Sequence, residues 1–475
     1  MDRITDAIPR EIPDLCEKGG SLEVVGGSGS GKTVFCLTLL ALLARRDHRV
    51  TYMSTRIPMK TVFSTYPVCR DMPPGSFVDI TNGLPARGEV NIEHAELSDI
   101  ADFAVFMTDR AGRDFILAID PWDGLAEKDG RPLVDVERAM ADVINQIGCS
   151  VILSREKREE GPLVHSVDAQ ISLDGLDVEG ESVRRMRIEK MRGVEMLRRE
   201  HLYTLKGGMF SVTDTLGFSP GGFELRVVGL PKPMNEDGTH FPTGIEEFDE
   251  ICGGGFAKGS YVTLETDRET PSSLVEVLCY PLLADFLLKD RGVMVIPAGA
   301  RDAVAELSIV KGMFDETQWE DVRERYLLGQ LRIVEFGPGS PSDPGCSVAA
   351  PGEDIETDYK SWLEMRKELA DAGKSPVLSI ASYDTIESTY GREPALKVAG
   401  KNASEIRRDR GLHISIVSAD HAVRNRLMAV SDYYLRTKLI DNTVLFWGIK
   451  PKIRVHALSV EDPGSFRRIR LVPMA

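Results

Sequence analysis

GGSGSGKT, residues 26–33, is the stretch on which the fold is decided. It satisfies GxxxxGK[ST] and sits between a short apolar run at 21–25 and a continuous apolar run at 34–44. Strand, glycine loop and helix in that order are the setting in which this pattern cradles phosphate. Glycines let successive backbone N–H groups turn inward, and the following helix adds its positive end. Gly26, Gly27, Ser28, Gly29, Ser30, Gly31, Lys32 and Thr33 are therefore the expected contacts for ATP. Lys32 is expected to reach the β- and γ-phosphates, and the hydroxyl of Thr33 to ligate Mg2+. The competing reading, a glycine-rich turn with an incidental lysine, does not account for the two apolar flanks.

Outward from the loop, strand-like runs at 49–54, 114–120 and 150–154 alternate with a helical pattern at 136–147. Such alternation predicts an α/β fold with a mostly parallel sheet covered on both faces. The strand FILAID, 115–120, ends on Asp120. A carboxylate there is the expected second metal ligand of a phosphate-binding loop, although an aspartate after a buried strand also serves as a turn or helix cap. Asp123 reads better as such a cap. Hydrolysis further requires a group that orients or deprotonates water. After the second strand the chain reads YMSTR, 52–56, which puts Arg56 near that duty. A guanidinium is no base at neutral pH.

The chain begins again after the Gly- and Pro-rich stretch 217–238. A shift of 240 residues lays Lys18, Gly19 and the following strand on Lys258, Gly259 and 261–265. IDPWDG, 119–124, matches IASYDT, 380–385; SVDAQISL, 166–173, matches VSDYYL, 430–435; and KMRG, 190–193, matches KPKI, 450–453. An internal repeat in constant order predicts two similar domains, 1–228 and 238–475. Residues 337–354, with few apolar side chains, read as a flexible surface insertion in the second.

Composition excludes several classes. Over 475 residues, 58 Lys and Arg against 74 Asp and Glu give a net charge of −16, contrary to a protein that coats nucleic acid through its overall field. Seven cysteines without a CxxC pair suit neither a disulfide framework nor a zinc ribbon, which predicts a cytoplasmic setting. No apolar run reaches the roughly 18 residues of a membrane span. One local exception to the acidic balance is 184–206, where eight Lys and Arg meet three Glu. A solvated strand face, a docking patch for an acidic partner or nucleic acid, and cations reaching a neighbour's nucleotide all fit that composition.

These residues resemble the KaiC and RadA branch of RecA-like ATPases, on the strength of GGSGSGKT, FILAID, KMRG followed by RREH at 198–201, and TGIEEFDEICGGGFAKGS at 243–260. The resemblance implies tandem RecA-like P-loop domains. It also implies that a K-x-R element, here Lys190 and Arg192, points across a protomer interface at a neighbour's γ-phosphate, so that a homo-oligomer is expected. Within the branch, arginine-rich regions at 155–158 and 184–199 resemble those of archaeal gas-vesicle regulatory proteins. That likeness implies an ATP-binding cytoplasmic regulator, a slow Mg2+-dependent ATPase at most, acting through a protein partner, a transcriptional activator. The alternatives within the branch are a nucleic-acid-dependent ATPase, disfavoured by the net charge, and a KaiC-like signalling ATPase. The second half departs from the family pattern. TDRETPSS, 266–273, replaces the glycine loop, with Asp267 and Glu269 facing the phosphate position, Pro271 lacking an N–H, and Ser272 in place of the lysine. Ala381 is aligned with the metal aspartate. A degenerate pseudo-ATPase domain is the expectation.

Overall fold

A computed structural model of the chain describes residues 7–81, 92–110, 112, 114–156, 161–213, 232–270, 278–298, 301–327, 329–337, 342–343, 345–461 and 468–474. The chain divides into two compact units, Met1–Thr213 with Pro473–Ala475, and Asp214–Val472.

The first unit is built on β1 (Leu22–Gly26), β2 (Arg49–Ser54), β3 (Phe77–Asp79), β4 (Ile92–His94), β5 (Phe115–Asp120), β6 (Ser150–Arg155), β7 (Ala169–Val178), β8 (Glu181–Met191), β9 (Glu200–Thr204) and β10 (Ser211–Val212). They form one ten-stranded sheet in the order β10-β9-β8-β7-β1-β6-β5-β2-β3-β4. From β7 to β4 all neighbours are parallel, and β8 to β10 extend the sheet antiparallel. Every residue of β1, β5 and β6 is buried, as expected of parallel strands covered on both faces. The helix Lys32–Ala44 is apolar nearly all round because it packs on the sheet beneath the N-terminal segment. The opposite face carries the helices Ile100–Thr108, Trp122–Asp129 and Leu133–Ile147.

In the second unit a short ribbon, β11 (His240–Phe241) with β12 (Phe256–Ala257), precedes β13 (Ser260–Thr266), β14 (Val293–Ile296), β15 (Leu331–Phe336), β16 (Ser347–Ala350), β17 (Leu378–Ser382), β18 (Leu412–Ser418), β19 (Tyr433–Ile440), β20 (Thr443–Lys450), β21 (Ile453–Glu461) and β22 (Arg468–Pro473). Their order, β16-β15-β14-β17-β18-β13-β19-β20-β21-β22, repeats the first sheet strand for strand. Register agrees as well. Leu22 pairs with Ile152 and Ala169, and Val262 pairs with Ile414 and Tyr433. Asp168 accepts the N–H of Ser21 at 2.9 Å, and Asp432 accepts that of Tyr261, also at 2.9 Å. The fold is thus a tandem α/β repeat with two mostly parallel sheets.

Two expectations need correction. Ala118 pairs with Ile152, and Ile380 pairs with Ile414, so the strand position equivalent to Asp120 is Ser382, one residue beyond Ala381. A slip of one residue turns a strand side chain to the other face, and Ala381 packs on the side away from the loop. The segment 337–354 is also no mere insertion. Its residues 347–350 are the edge strand β16, parallel to β15, with Cys346, Ser347 and Ala350 turned inward. Residues 338–341 and 344 lie outside the described residues.

Candidate functional site

The loop connects the end of β1 to the helix Lys32–Ala44. A Cβ on Gly26 would lie 2.4 Å from Ser30 Oγ and 2.8 Å from the Leu173 carbonyl oxygen, so no side chain fits there. Gly31 has φ 93° and would meet Leu205 at 2.9 Å, which excludes an L side chain on both counts. At Gly27 and Gly29 the space a Cβ would enter is open, leaving bare, exposed backbone. Lys32 folds back over the loop, its Nζ donating to the carbonyls of Gly26 at 2.6 Å and Gly27 at 3.0 Å. The first helical N–H groups have no partner within the helix. Ser30 Oγ is buried and unpartnered, while the Ser30 carbonyl accepts the Tyr203 hydroxyl at 2.5 Å. Bare backbone, a cation and the free N–H groups of a helix start, gathered at one loop, fit a polyphosphate.

Asp120 is the hub beside the loop. One carboxylate oxygen accepts from Thr33 Oγ1 and from the Tyr52 hydroxyl, each at 2.6 Å, and the other accepts from Ser154 Oγ. Burial, and then the carboxylate itself, push the Tyr52 phenol well above its ordinary range, so it stays a donor. The Thr33 hydroxyl and Asp120 carboxylate form a hard oxygen pair suited to Mg2+. Among the described residues no group of three His, Cys, Asp or Glu gathers as a metal site, so a cation here would draw its other ligands from phosphate and water.

Arg56 does sit near this site, paired with Glu127 at 2.5 Å and Glu156 at 3.2 Å. Asp123 accepts the N–H of Glu156 at 3.0 Å, so it ties the loop after β6 to the start of the helix Trp122–Asp129. Tyr52, Ser154 and Tyr203 escaped the sequence reading. Ser154 does carry a signal, a polar side chain directly after the apolar run Val151–Leu153, but nothing local names Asp120 as its partner.

The basic stretch is mostly strand. Arg185 pairs with Asp174 at 3.0 Å, and Arg187 with Glu200 at 2.8 Å, across the β7-β8-β9 ladder. Lys190 donates to the carbonyls of Val164 at 3.1 Å and Val167 at 2.5 Å, capping the short helix Pro162–Ser166 within its own chain. Burial and the nearby Arg192 lower its pKa. Arg192, in the exposed turn after β8, has no side-chain partner among the described residues. Of the region 155–158, Arg155 is buried at 1 % exposure and belongs to the core, not to a basic surface. Lys157 and Arg158 lie outside the described residues. Also among the described residues, no helix is long and apolar enough to cross a membrane.

In the second unit, Thr266 and Asp267 take the register positions of Gly26 and Gly27. Asp267 accepts the N–H of Thr270 at 2.9 Å. Pro271 and Ser272 lie outside the described residues. Ser382, in the Asp120 position, accepts from the N–H of Thr385 as a helix cap.

Comparison with known proteins agrees with this geometry. The family profile described as GvpD gas vesicle protein, P-loop domain, matches residues 15–189, and that of GvpD basic region 2 matches residues 231–475. Protein GvpD2 of Halobacterium salinarum is 26 % identical over 491 residues, covering 98 % of this chain and 96 % of the relative. Protein GvpD1 of the same organism is 23 % identical over 527 residues, with the same two coverages.

Proposed function

The chain belongs to the GvpD gas vesicle protein family, and from that premise we propose that it is an ATP-dependent regulatory switch in gas-vesicle formation. The observation that carries the reading is the joining of the phosphate loop to the basic hairpin. Tyr203 on β9 donates to the Ser30 carbonyl, Leu205 packs against Gly31, and β9 pairs with the arginine-bearing β8. A change in the loop on nucleotide binding therefore bears directly on the strands that display the basic turn. Gly26–Thr33 would hold the phosphates, with Lys32 as their cation; Thr33 and Asp120 would hold Mg2+, while Tyr52 and Ser154 fix the carboxylate. Bound Mg2+ would supply charge neutralisation at the phosphates. The second unit, with Asp267 in the loop and Ser382 in the aspartate position, serves as a pseudo-ATPase domain. The partner in this reading is a transcriptional activator, and the setting is the cytoplasm. A pull-down from native lysate with and without ATP and Mg2+ tests it: nucleotide-dependent recovery of a transcription factor supports it, and recovery of nucleic acid instead overturns it.

Turnover should be slow. Arg56 is occupied by Glu127 and Glu156, and it supplies no base. P-loop proteins lacking efficient water activation turn over at roughly 10⁻⁴ to 10⁻² s⁻¹, and the isolated protein is expected in that range. A steady-state phosphate-release rate above about 1 s⁻¹ would show that another group activates water.

Assembly narrows to one residue. Lys190 is spent on its own carbonyls, whereas Arg192 is exposed and available to a neighbouring protomer's phosphate. A head-to-tail contact lets each subunit complete the next one's site. Arg192→Ala should then keep ATP affinity and lose most residual hydrolysis, with wild-type specific activity rising with protein concentration. A strict monomer in sedimentation with ATP and Mg2+, together with unchanged turnover in the variant, decides against it.

A further inference from the structure

Three charged groups of the first unit meet over the carboxyl ends of β2, β5 and β6, which are neighbours in the sheet, with β6 next to the loop-bearing β1. In open α/β sheets ligands lie at those ends. Arg56, two residues past Ser54 of β2, reaches across the end of β5 to Glu127 at 2.5 Å and to Glu156 at 3.2 Å. Its stem is fixed. Thr55 donates from Oγ1 to the Pro121 carbonyl at 2.6 Å and from its N–H to the Asp120 carbonyl at 3.1 Å, and a Cβ on Gly124 would lie 3.1 Å from Arg56 Cγ. Glu156 is placed as firmly. Val25 pairs with Arg155, so the next residue stands level with Gly26, the first of the loop, and Asp123 holds its N–H at 3.0 Å.

The repeat supplies an internal control for this cluster. With Ile152 equivalent to Ile414 and Trp122 to Tyr383, the positions of Glu156 and Glu127 are Ser418 and Ser388 in the second unit. Asp384 holds the N–H of Ser418 just as Asp123 holds that of Glu156, so the frame is kept while both carboxylates are gone. That unit also lacks the glycine loop and carries Ser382 for Asp120. A cluster required by the fold would recur in both halves, whereas this one accompanies the phosphate loop. Chemistry then separates its members. Hydrolysis needs a carboxylate able to take a proton from water. Asp120 has both oxygens engaged by Thr33, Tyr52 and Ser154, and Asp123 is spent on backbone. Glu127 stands nearly two turns along the helix Trp122–Asp129, its side chain 68 % exposed. Glu156 is the carboxylate level with the loop, and Arg56 holds it.

We infer that Glu156 is the base that activates water at this site and that Arg56 is a latch that withholds it. This deepens the nucleotide reading, on which it rests, by adding the residue that moves the proton. In the step itself the water oxygen bonds to the γ-phosphorus, a water proton passes to the Glu156 carboxylate, and the bond to the β–γ bridging oxygen breaks with its electron pair left on ADP. While Arg56 holds the carboxylate, that transfer is blocked. Slow turnover then comes from an ion pair within the site, and releasing the pair releases the activity.

Full-length protein with ATP and Mg2+ tests this by steady-state phosphate release and by titration calorimetry. Arg56→Ala should raise turnover about tenfold or more, and adding Glu156→Gln should remove the gain, whereas adding Glu127→Gln should not. Arg56→Lys keeps a cation beside the carboxylate and should stay within about threefold of the wild-type rate. In calorimetry Glu156→Gln should bind ATP within about threefold of the wild type, because the residue acts on water and not on phosphate. The ion pair is partly exposed, its side chains at 34 % and 49 %, so the variants should keep the wild-type thermal midpoint. Turnover in Arg56→Ala within about threefold of the wild type or below it, or a gain that survives Glu156→Gln, overturns the inference and leaves the nucleotide reading standing. Failure of the wild-type protein to bind ATP overturns both.

Discussion

Lys32→Ala is expected to abolish ATP binding in the range where the wild-type protein saturates. The lysine is 9 % exposed and lies across the loop, its ammonium resting on the carbonyls of Gly26 and Gly27. Those contacts hold it at the edge of the bare backbone of Gly27 and Gly29. A hydrogen bond to a charged group contributes roughly 1.5–3 kcal/mol, so two phosphate contacts correspond to a loss of about 10² to 10⁴ in affinity. Thr33→Ala should act differently. It removes the hydroxyl that meets Asp120, so the dependence on Mg2+ should weaken more than nucleotide affinity in its absence. Titration calorimetry with ATP and Mg2+ checks both, and it should give one site per chain, because Asp267 occupies the Gly27 position in the second unit. Two comparable sites in the wild type, or an affinity within about threefold in Lys32→Ala, would refute the assignment.

The parts of the site that were legible are those whose meaning is local. Strand, loop and helix at 21–44 announce themselves through residue order alone, and Asp120 follows from its place at the end of FILAID. The repeat was legible for a related reason: Trp122 with Tyr383, and Asp123 with Asp384, keep the same jobs. Asp123 holds the N–H of Glu156, and Asp384 that of Ser418. What failed was counting across the strand end, where Pro121 is one residue more than the second half has, and matching apolar to apolar placed Ala381 one step out of register. Tertiary choices were not legible at all. Nothing near Tyr52, Ser154 or Tyr203 in sequence says that they meet Asp120 or the loop, and Lys190 does not show that its ammonium caps a helix 25 residues earlier. Residues 347–350 looked unfit for a strand because an edge strand of small residues needs little apolar area. Arg155 misled most, since a run of basic residues reads as surface while its first member is core.

That arginine carries the largest expected effect on stability. Arg155 ends β6 and faces Val25 of β1, immediately before the phosphate loop. Its guanidinium meets Glu23 at 3.0 Å and Glu137 at 2.8 Å, and both carboxylates are at most 2 % exposed. Gln170 completes the shell by donating to Glu23 at 2.7 Å. A buried ion network contributes little over an apolar replacement, yet removing one partner strands the others, and here two carboxylates would share the loss of one cation. Arg155→Ala should therefore cost about 3–5 kcal/mol, a large part of the roughly 5–15 kcal/mol typical of a folded domain. Hydrogen exchange of peptides spanning β1 and β6 measures the opening energy of this unit by itself, without assuming that the two units unfold together. Neutralising the network as a whole, with Arg155→Met, Glu23→Gln and Glu137→Gln combined, should recover most of the loss, because no charge is then left buried. A drop below about 1 kcal/mol in Arg155→Ala would mean that apolar packing alone holds β6 against β1. Recovery in the triple variant would show instead that the charges are dispensable as a set and costly only when divided, and that the strand carrying the phosphate loop depends on their balance.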